Sequence, residues 1–378
     1  MVKFSKLITP FGMVENKYIS IKNGMIDGII DENNTGYKEL DASQLTVLPG
    51  FVDIHTHGYY GIDSMDSTES DIHKWAKKLL QNGVTSFIPT GVSSSIENIE
   101  KFLQKIRAAM GSNNGEARIL GARLEGPYIS MEKKGAHNPE YIREINIDEI
   151  SYLASQYSDV LKIIDIAPEL KRFSEAVNIF QRNGITVSAG HSNASFMDAN
   201  MAFGSGVKLM THFYNAMTPL NHRNPGMVGA GLLSENVILE LIADMHHVSP
   251  AAIGIMVKMK GLHNIALITD SLSIGGTDTK IGELGGLKIN INNGVAMIDG
   301  SDTIAGSILT LDKALKNIVS LGLPIEKIIQ SLGYVQSRVL GDTGLGSISQ
   351  GKRGDLCIID DDLNVKYTVL NGEILYKN

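Results

Sequence analysis

Side chains able to bind a metal ion recur at the ends of apolar runs in this chain. His55 and His57 close LPGFVDIHTH, Glu125 closes RILGARLEG, His191 closes ITVSAGH, His212 lies in KLMTHFY, and Asp270 ends NIALITD. His247 follows the run VILELIAD, and such residues are rare inside the runs themselves. On a strand, side chains two apart share a face, so His55 and His57 point the same way. Taken singly, each has a plain structural role. A strand-end histidine can be a hydrogen-bonded core residue, Glu125 can pair with Arg123, and Asp270 can cap a turn beside Ser271. Taken together, imidazole and carboxylate donors gathered on one face suit Zn²⁺ or Fe²⁺. The chemistry this suggests is metal-assisted hydrolysis.

Something must bring those ends together. The apolar runs number eight when TSFIPT and VLKIIDIAP are added, and most are followed by helical patterns such as DIHKWAKKLLQNG and ELKRFSEAVNIFQRNG. Glycine after several of these helices is a stop signal. Eight strand–helix units predict a parallel (β/α)₈ barrel, a TIM-like fold whose active-site face is the carboxyl end of its strands. A doubly wound sheet is the alternative, but no GxGxxG follows the early strands.

The two ends of the chain differ from this rhythm. KYISIKNGMIDGII and GDLCIIDDDLNVKYTVLNGEILY read as short strands with Asn-Gly turns at Asn23-Gly24 and Asn371-Gly372. Neither piece buries much alone, so the expectation is one small composite β-sandwich domain from residues 1–49 and 346–378 around a barrel of residues 50–345. GGLKININNGVAMIDG, after the eighth run, reads as a β-hairpin insertion.

Composition narrows the class. The chain has 378 residues, 43% hydrophobic and 20% charged, ordinary for a globular protein with a large core. Its formal charge of −7 carries no basic stripe, which argues against nucleic acid. A single cysteine, Cys357, excludes an internal disulfide and cysteine-rich zinc modules. No apolar stretch is long enough to span a membrane and no leader pattern opens the chain, so the expected location is the cytoplasm.

The motifs carry a resemblance. PGFVDIHTHG resembles the first-strand signature of the amidohydrolase superfamily. LEGPYIS with KKGAHNP, then AGHSNA, THFYNAM, HRNPG, ADMHHV, LITDS and IAGSIL, in that order from about residue 49 to 312, are similar to the N-acetylglucosamine-6-phosphate deacetylase family. The resemblance implies hydrolysis of N-acetyl-D-glucosamine 6-phosphate to D-glucosamine 6-phosphate and acetate, by hydroxide generated at one or two divalent ions. It implies Glu125 as a bridging ligand, since KIIDIAPEL offers no lysine where many relatives have a carbamylated one; Glu169 is the competing carboxylate. His55 and His57 would hold one ion with Asp270 beside it, and His191 and His212 the other. Asp270 would be general base and acid, and His137 would polarise the acetyl carbonyl.

For substrate, the resemblance implies contacts from Asn215, Ala216 and His247, a closing loop at Ile304, Ala305 and Gly306, and a phosphate anchor at Arg223. That arginine is expected to reach the site of a neighbouring subunit in a homodimer. The chain departs from the family in reading ADMHH, with Met245 in place of glycine and His246 beside His247. The alternatives are a deacetylase for N-acetylgalactosamine 6-phosphate and a non-catalytic scaffold on the same fold.

Overall fold

A computed structural model describes residues 1–31, 40–111 and 115–378. Eight parallel strands run round a ring in chain order: β1 (Phe51–Thr56), β2 (Val84–Val92), β3 (Ala122–Glu125), β4 (Leu161–Ile166), β5 (Thr186–Ala189), β6 (Leu209–Met210), β7 (Ile238–Ile242) and β8 (Ile265–Ile268). Hydrogen bonds from Asp270 N–H to His55 O (2.9 Å) and from His57 N–H to Ser271 O (2.8 Å) join the end of β8 to that of β1. The expected barrel is the observed one. Helices follow each strand and form its outer layer: α1 (Glu69–Leu79), α2 (Ile96–Ala109), α3 (Ile147–Gln156), α4 (Phe173–Arg182), α5 (Phe196–Gly204), α6 (Gly226–Leu233), α7 (Pro250–Lys260) and α8 (Leu311–Ser320).

Helix α1 shows how the sequence sets these elements. Thr68 and Asp71 form a capping box, each side chain accepting the other's backbone N–H. Ile72, Trp75, Ala76 and Leu79 then recur at helical spacing and turn one buried stripe to the barrel. Trp75 packs on Phe87 of β2 with ring centres 5.0 Å apart. Truncating such a buried aromatic costs about 3–5 kcal/mol. The chain leaves the helix through Gly83, at φ +76°, where a β-carbon would stand 2.5 Å from Cys357 Sγ. Gly83→Ala is therefore the single change most disruptive to this turn.

The strands separate two environments. Leu124 of β3 points out into the apolar layer, while Arg123 and Glu125, one residue to either side, share the opposite face. The interior below the strand ends is polar: Asp53, Arg123, Asp165, Ser188, Thr211 and Glu240 are all buried.

The chain ends come together as expected. Gly12–Lys22 and Met25–Ile30 flank the Asn23-Gly24 turn, and Val365–Leu370 and Glu373–Lys377 flank Asn371-Gly372. All four turn residues have positive φ, the type I′ geometry that Asn-Gly favours. One seven-stranded sheet results, with Leu40–Pro49 pairing in parallel with Val2–Thr9 and antiparallel with Leu356–Ile359. Residues 32–39 of the amino-terminal segment lie outside the described residues. One face has its own apolar core, including Phe4, Val47 and Ile358, while Leu48, Cys357 and Ile359 join the barrel's. The insertion after β8 has three antiparallel strands, Ile281–Leu284, Leu287–Asn292 and Val295–Ile298, one more than the expected hairpin. Leu284 lay outside any apolar run long enough to read as a strand. No helix among the described residues is long and apolar enough to cross a membrane.

Candidate metal centre and active site

A cavity of about 320 Å³ opens at the carboxyl ends of the strands. His57, Glu125, His137, His191, His212 and Asp270 line it, and His55 lies fully buried at its floor. Strand β1 delivers His55, and His57 follows it directly; Glu125 is the last residue of β3. His191, His212 and Asp270 each sit two residues past their strands, with φ of +46°, +25° and +51°. Non-glycine residues rarely adopt this left-handed region, and such strain gathers at functional sites. It turns each side chain inward just after its strand ends.

The donor atoms form two overlapping groups, His55–His57–Glu125 and Glu125–His191–His212, each within 4.8 Å. Glu125 Oε1 lies 2.9 Å from His191 Nε2 and 3.0 Å from His212 Nε2. Its Oε2 lies 3.1 Å from His57 Nε2, and Asp270 Oδ1 lies 3.0 Å from that same nitrogen. A neutral imidazole has one N–H and one lone pair. Thr90 O and Lys133 O only accept, so His57 and His191 donate to them through Nδ1, at 3.0 and 2.9 Å. Each therefore turns an Nε2 lone pair inward. His55 Nδ1 is held in the same way by Glu240, at 3.2 Å.

The inward lone pairs face carboxylate oxygens and one another. Buried as they are, they need a cation between them. His55 Nε2 has no hydrogen-bond partner at all. The residues fit a divalent metal ion.

The charges respond to the crowding. A proton is one such cation: burial opposes ionisation, yet hydrogen bonds to Asp270 and Glu125 lift His57 to about 9, and a metal ion would displace that proton. Against the same burial, the charges of His55 and His57 draw Asp270 down to about 2. Glu125, despite burial, is held well below the carboxylate range by His55 and His137.

His137 is buried at the cavity wall. Ser93 N–H donates to its Nδ1 at 3.3 Å, with Ser93 Oγ 2.9 Å away. A backbone N–H only donates, so Nδ1 accepts and the ring proton sits on Nε2, facing the cavity 3.4 Å from Glu125 Oε2. Burial, partly opposed by Glu125, pushes its pKa down and keeps the ring neutral.

Most of the other expected residues border the same space. Asn215, Ala216, His247, Ile304 and Gly306 line it, while Ala305 lies buried in the apolar cluster behind. Of the paired histidines, His247 faces the cavity, anchored by Asp244 Oδ2 at 2.7 Å, and His246 is exposed. Met245 takes φ +68°, the conformation a glycine would adopt without strain. Glu169, the competing carboxylate, accepts from Ser192 Oγ and Asn193 N–H, both at 2.6 Å, and does not line the cavity. Arg123 pairs with Asp165 and Glu240 rather than with Glu125. Arg223 is exposed on the loop before α6, outside its own cavity.

Two participants escaped the sequence reading. Ser93, which fixes the His137 ring, sits in an SSS run without distinguishing context. Glu240 does carry a signal: it is an acid in the middle of the apolar run VILELIAD.

Comparison with known proteins agrees with this geometry. The model of the amidohydrolase family matches residues 46–375. An N-acetylgalactosamine-6-phosphate deacetylase of Escherichia coli O157:H7 is 34% identical over 99% of this chain and 98% of its own. An N-acetylglucosamine-6-phosphate deacetylase of Vibrio furnissii is 34% identical over 94% of this chain and 89% of its own. Among solved structures, the N-acetylglucosamine-6-phosphate deacetylase of Thermotoga maritima superposes with a TM-score of 0.90 at 35% identity, covering 99% of this chain and 98% of that one. With a metal-dependent hydrolase's barrel, donor set and cavity in place, the chain belongs to the N-acetylglucosamine-6-phosphate deacetylase family of the amidohydrolases.

Proposed function

We propose that this chain hydrolyses the acetamide of N-acetyl-D-glucosamine 6-phosphate, giving D-glucosamine 6-phosphate and acetate. The observation that carries the reading is the convergence of four imidazole nitrogens, Glu125 and Asp270 on one cavity, with His137 Nε2–H facing it. His191, His212 and Glu125 are assigned one ion; His55, His57 and Glu125 are assigned a second, with Asp270 beside it. The mix of imidazole and carboxylate supports Zn²⁺ or Fe²⁺. Such an ion, when bound, supplies Lewis acidity, which lowers the pKa of water and polarises an acyl oxygen.

The chain's own residues do the rest. Asp270 accepts a proton from the attacking water as its oxygen bonds to the acyl carbon. The C–N bond then breaks with its electron pair going to nitrogen, and Asp270 returns the proton to that amine. His137 donates through Nε2 to the carbonyl oxygen, where negative charge develops. Asn215, His247 and the backbone at Ala216, Ile304 and Gly306 are assigned to the sugar phosphate.

The phosphate anchor, Arg223, is assigned to the site of a second copy. Its exposure outside its own cavity supports this, and so does an apolar surface nearby: Met197 and Met201 on α5, Leu220 before α6, Leu233 at its end, and Ile255 and Met259 on α7 are all exposed. A surface of this kind suits a homodimer interface. The division into a barrel of residues 50–345 and a composite sheet unit of 1–49 and 346–378 belongs to the same reading. The cytoplasm is its location, since a sugar phosphate dianion does not cross membranes unaided.

The galactosamine epimer is the second reading, favoured by the E. coli relative of that name. Acetate release should be measured on N-acetylglucosamine 6-phosphate, its galactosamine epimer and the unphosphorylated sugar. Greater kcat/KM for the first supports the proposal, and greater kcat/KM for the epimer supports the second reading. No release from either phosphate leaves the non-catalytic scaffold.

A further inference from the structure

Beneath the candidate metal centre the barrel interior is charged. Arg123 of β3, Asp165 of β4 and Glu240 of β7 are all fully buried. Arg123 donates through Nε and Nη2 to the two oxygens of Asp165, at 3.1 and 2.8 Å. It also donates through Nη1 to Glu240 Oε1 and through Nη2 to Glu240 Oε2, the latter at 3.2 Å. One guanidinium thus grips a carboxylate from the neighbouring strand β4 and another from β7 across the barrel. Thr211 Oγ1 donates to Asp165 Oδ1 at 2.9 Å, and Arg123 Nη1 reaches Ile54 O at 3.2 Å.

Barrels of this kind are usually filled by branched apolar side chains. Buried charge is costly, and equal stability is often reached with apolar residues of similar volume. Packing alone therefore does not account for the cluster. Its upper edge gives the better reason. Glu240 Oε2 lies 3.2 Å from His55 Nδ1 and accepts the backbone N–H of His212 at 3.1 Å.

We infer that Glu240, gripped by Arg123, is the positioning residue for His55. The carboxylate accepts the hydrogen bond of the Nδ1–H, which keeps the proton on Nδ1 and leaves the lone pair on Nε2, the buried atom without a partner in the cavity floor. Arg123 holds Glu240 ionised and in one orientation, and Asp165 holds Arg123. Glu240 touches no reacting atom; it acts through the ring it orients, as partners of metal-bound histidines do. The inference rests on the proposed role of His55 as a ligand, but the two can fail separately.

The test is Glu240→Gln, which keeps the shape and removes the charge. The folded variant is reconstituted with Zn²⁺, and its affinity for each ion is measured by chelator competition. Affinity for one ion should fall about ten- to a hundredfold, and the ¹⁵N NMR signature of the His55 Nδ1–H should move or vanish. Unchanged affinity for both ions overturns the inference. If Glu240→Gln does not fold, Arg123→Lys leaves the carboxylate charged but loosely held, and a smaller weakening of the same ion is expected; wild-type affinity again overturns it. A purely structural role is separated by a double-mutant cycle. In a His55→Asn background, Glu240→Gln should alter the remaining ion's affinity by less than about threefold, because the residue it acts through is gone. An undiminished effect there overturns the inference while leaving the metal reading intact. Retention of both ions by His55→Asn alone defeats the metal reading, and this inference with it.

Discussion

The Nε2 atoms of His191 and His212 stand 2.9 Å apart, both within 3.0 Å of Glu125 Oε1. The two rings meet edge to face, with centres 4.7 Å apart. Two buried imidazoles at this distance, converging on one oxygen, support the proposed ligand set. Glu125→Gln, His191→Asn and His212→Asn should each lose bound metal and activity, because each removes a donor from the group that supports the better-formed site. His55→Asn should lose about one equivalent and keep the other. Metal analysis decides: a wild type with a single tight ion, fully retained by His55→Asn, would refute the two-ion reading.

Asp270 is the proposed proton carrier. Its Oδ1 lies 3.0 Å from His57 Nε2. Asp270→Asn keeps the shape but cannot carry the proton. Turnover should fall by about two to four powers of ten, with substrate binding and most of the metal retained. Near-normal turnover in this variant would move the role elsewhere. Glu169, the next carboxylate suggested by sequence, is already committed to Ser192 and Asn193.

His137 tests the electrophilic side. Its Nε2 proton depends on Ser93, whose N–H occupies Nδ1. His137→Ala should lower kcat about a hundred- to a thousandfold, the range for losing one donor to a developing oxyanion. Ser93→Gly keeps the backbone N–H and should cost far less. Equal losses in the two variants would mean that the Ser93 hydroxyl, rather than its backbone, sets the ring.

How far the sequence revealed all this depends on distance along the chain. The barrel was legible because each β–α unit is local, with its period, cap and stop within about thirty residues. The proposed ligands were legible because each closes its own apolar run. The geometry between strands was not. Nothing in AGH or THF signals that His191 and His212 take left-handed backbone, and nothing in SSS marks Ser93 as the partner of His137, 44 positions away. Arg123 and Glu240 are 117 residues apart, and their pairing emerges only when the barrel closes. A choice between His246 and His247 also needed the Asp244 contact, which fixes one ring and leaves the other in solvent.

Away from the site, Lys260 offers a test of pH dependence. It is buried at the end of α7, its ammonium bonded to Ser234 O. Burial, weakly offset by Glu235, pushes its pKa down to about 8. The unfolded chain therefore holds this proton more tightly, so the cost of burying the charge is full below pH 8. It fades as pH rises from there towards the ordinary lysine value. Lys260→Met removes the titration, and its stability advantage over wild type in urea should shrink steadily from about pH 8 to 10. A constant difference across that range would show that the Lys260 ammonium is solvated, with the same pKa folded and unfolded.

Arg223 tests recognition and assembly at once. The chain carries a formal charge of −7, yet the proposed substrate is a phosphate, so a local cation must offset the unfavourable field. Arg223 is exposed on the loop before α6 and does not line its own cavity, and exposed apolar side chains on α5 and α7 flank that region. A guanidinium there can serve a second barrel if the two apolar surfaces meet. Losing a charged hydrogen bond to an anion costs about 1.5–3 kcal/mol, or roughly ten- to a hundredfold in affinity. Arg223→Ala should raise KM for the phosphorylated sugar by that factor and leave the unphosphorylated sugar nearly unaffected. Completion in trans makes a sharper demand. Mixed dimers of Arg223→Ala and Asp270→Asn subunits contain one site with an intact Asp270 in its barrel and an intact Arg223 from its partner. Such hybrids should recover activity at low substrate concentration, where each parent is nearly inactive. Hybrids confirmed by mass that recover nothing would show that Arg223 serves its own barrel or no site at all.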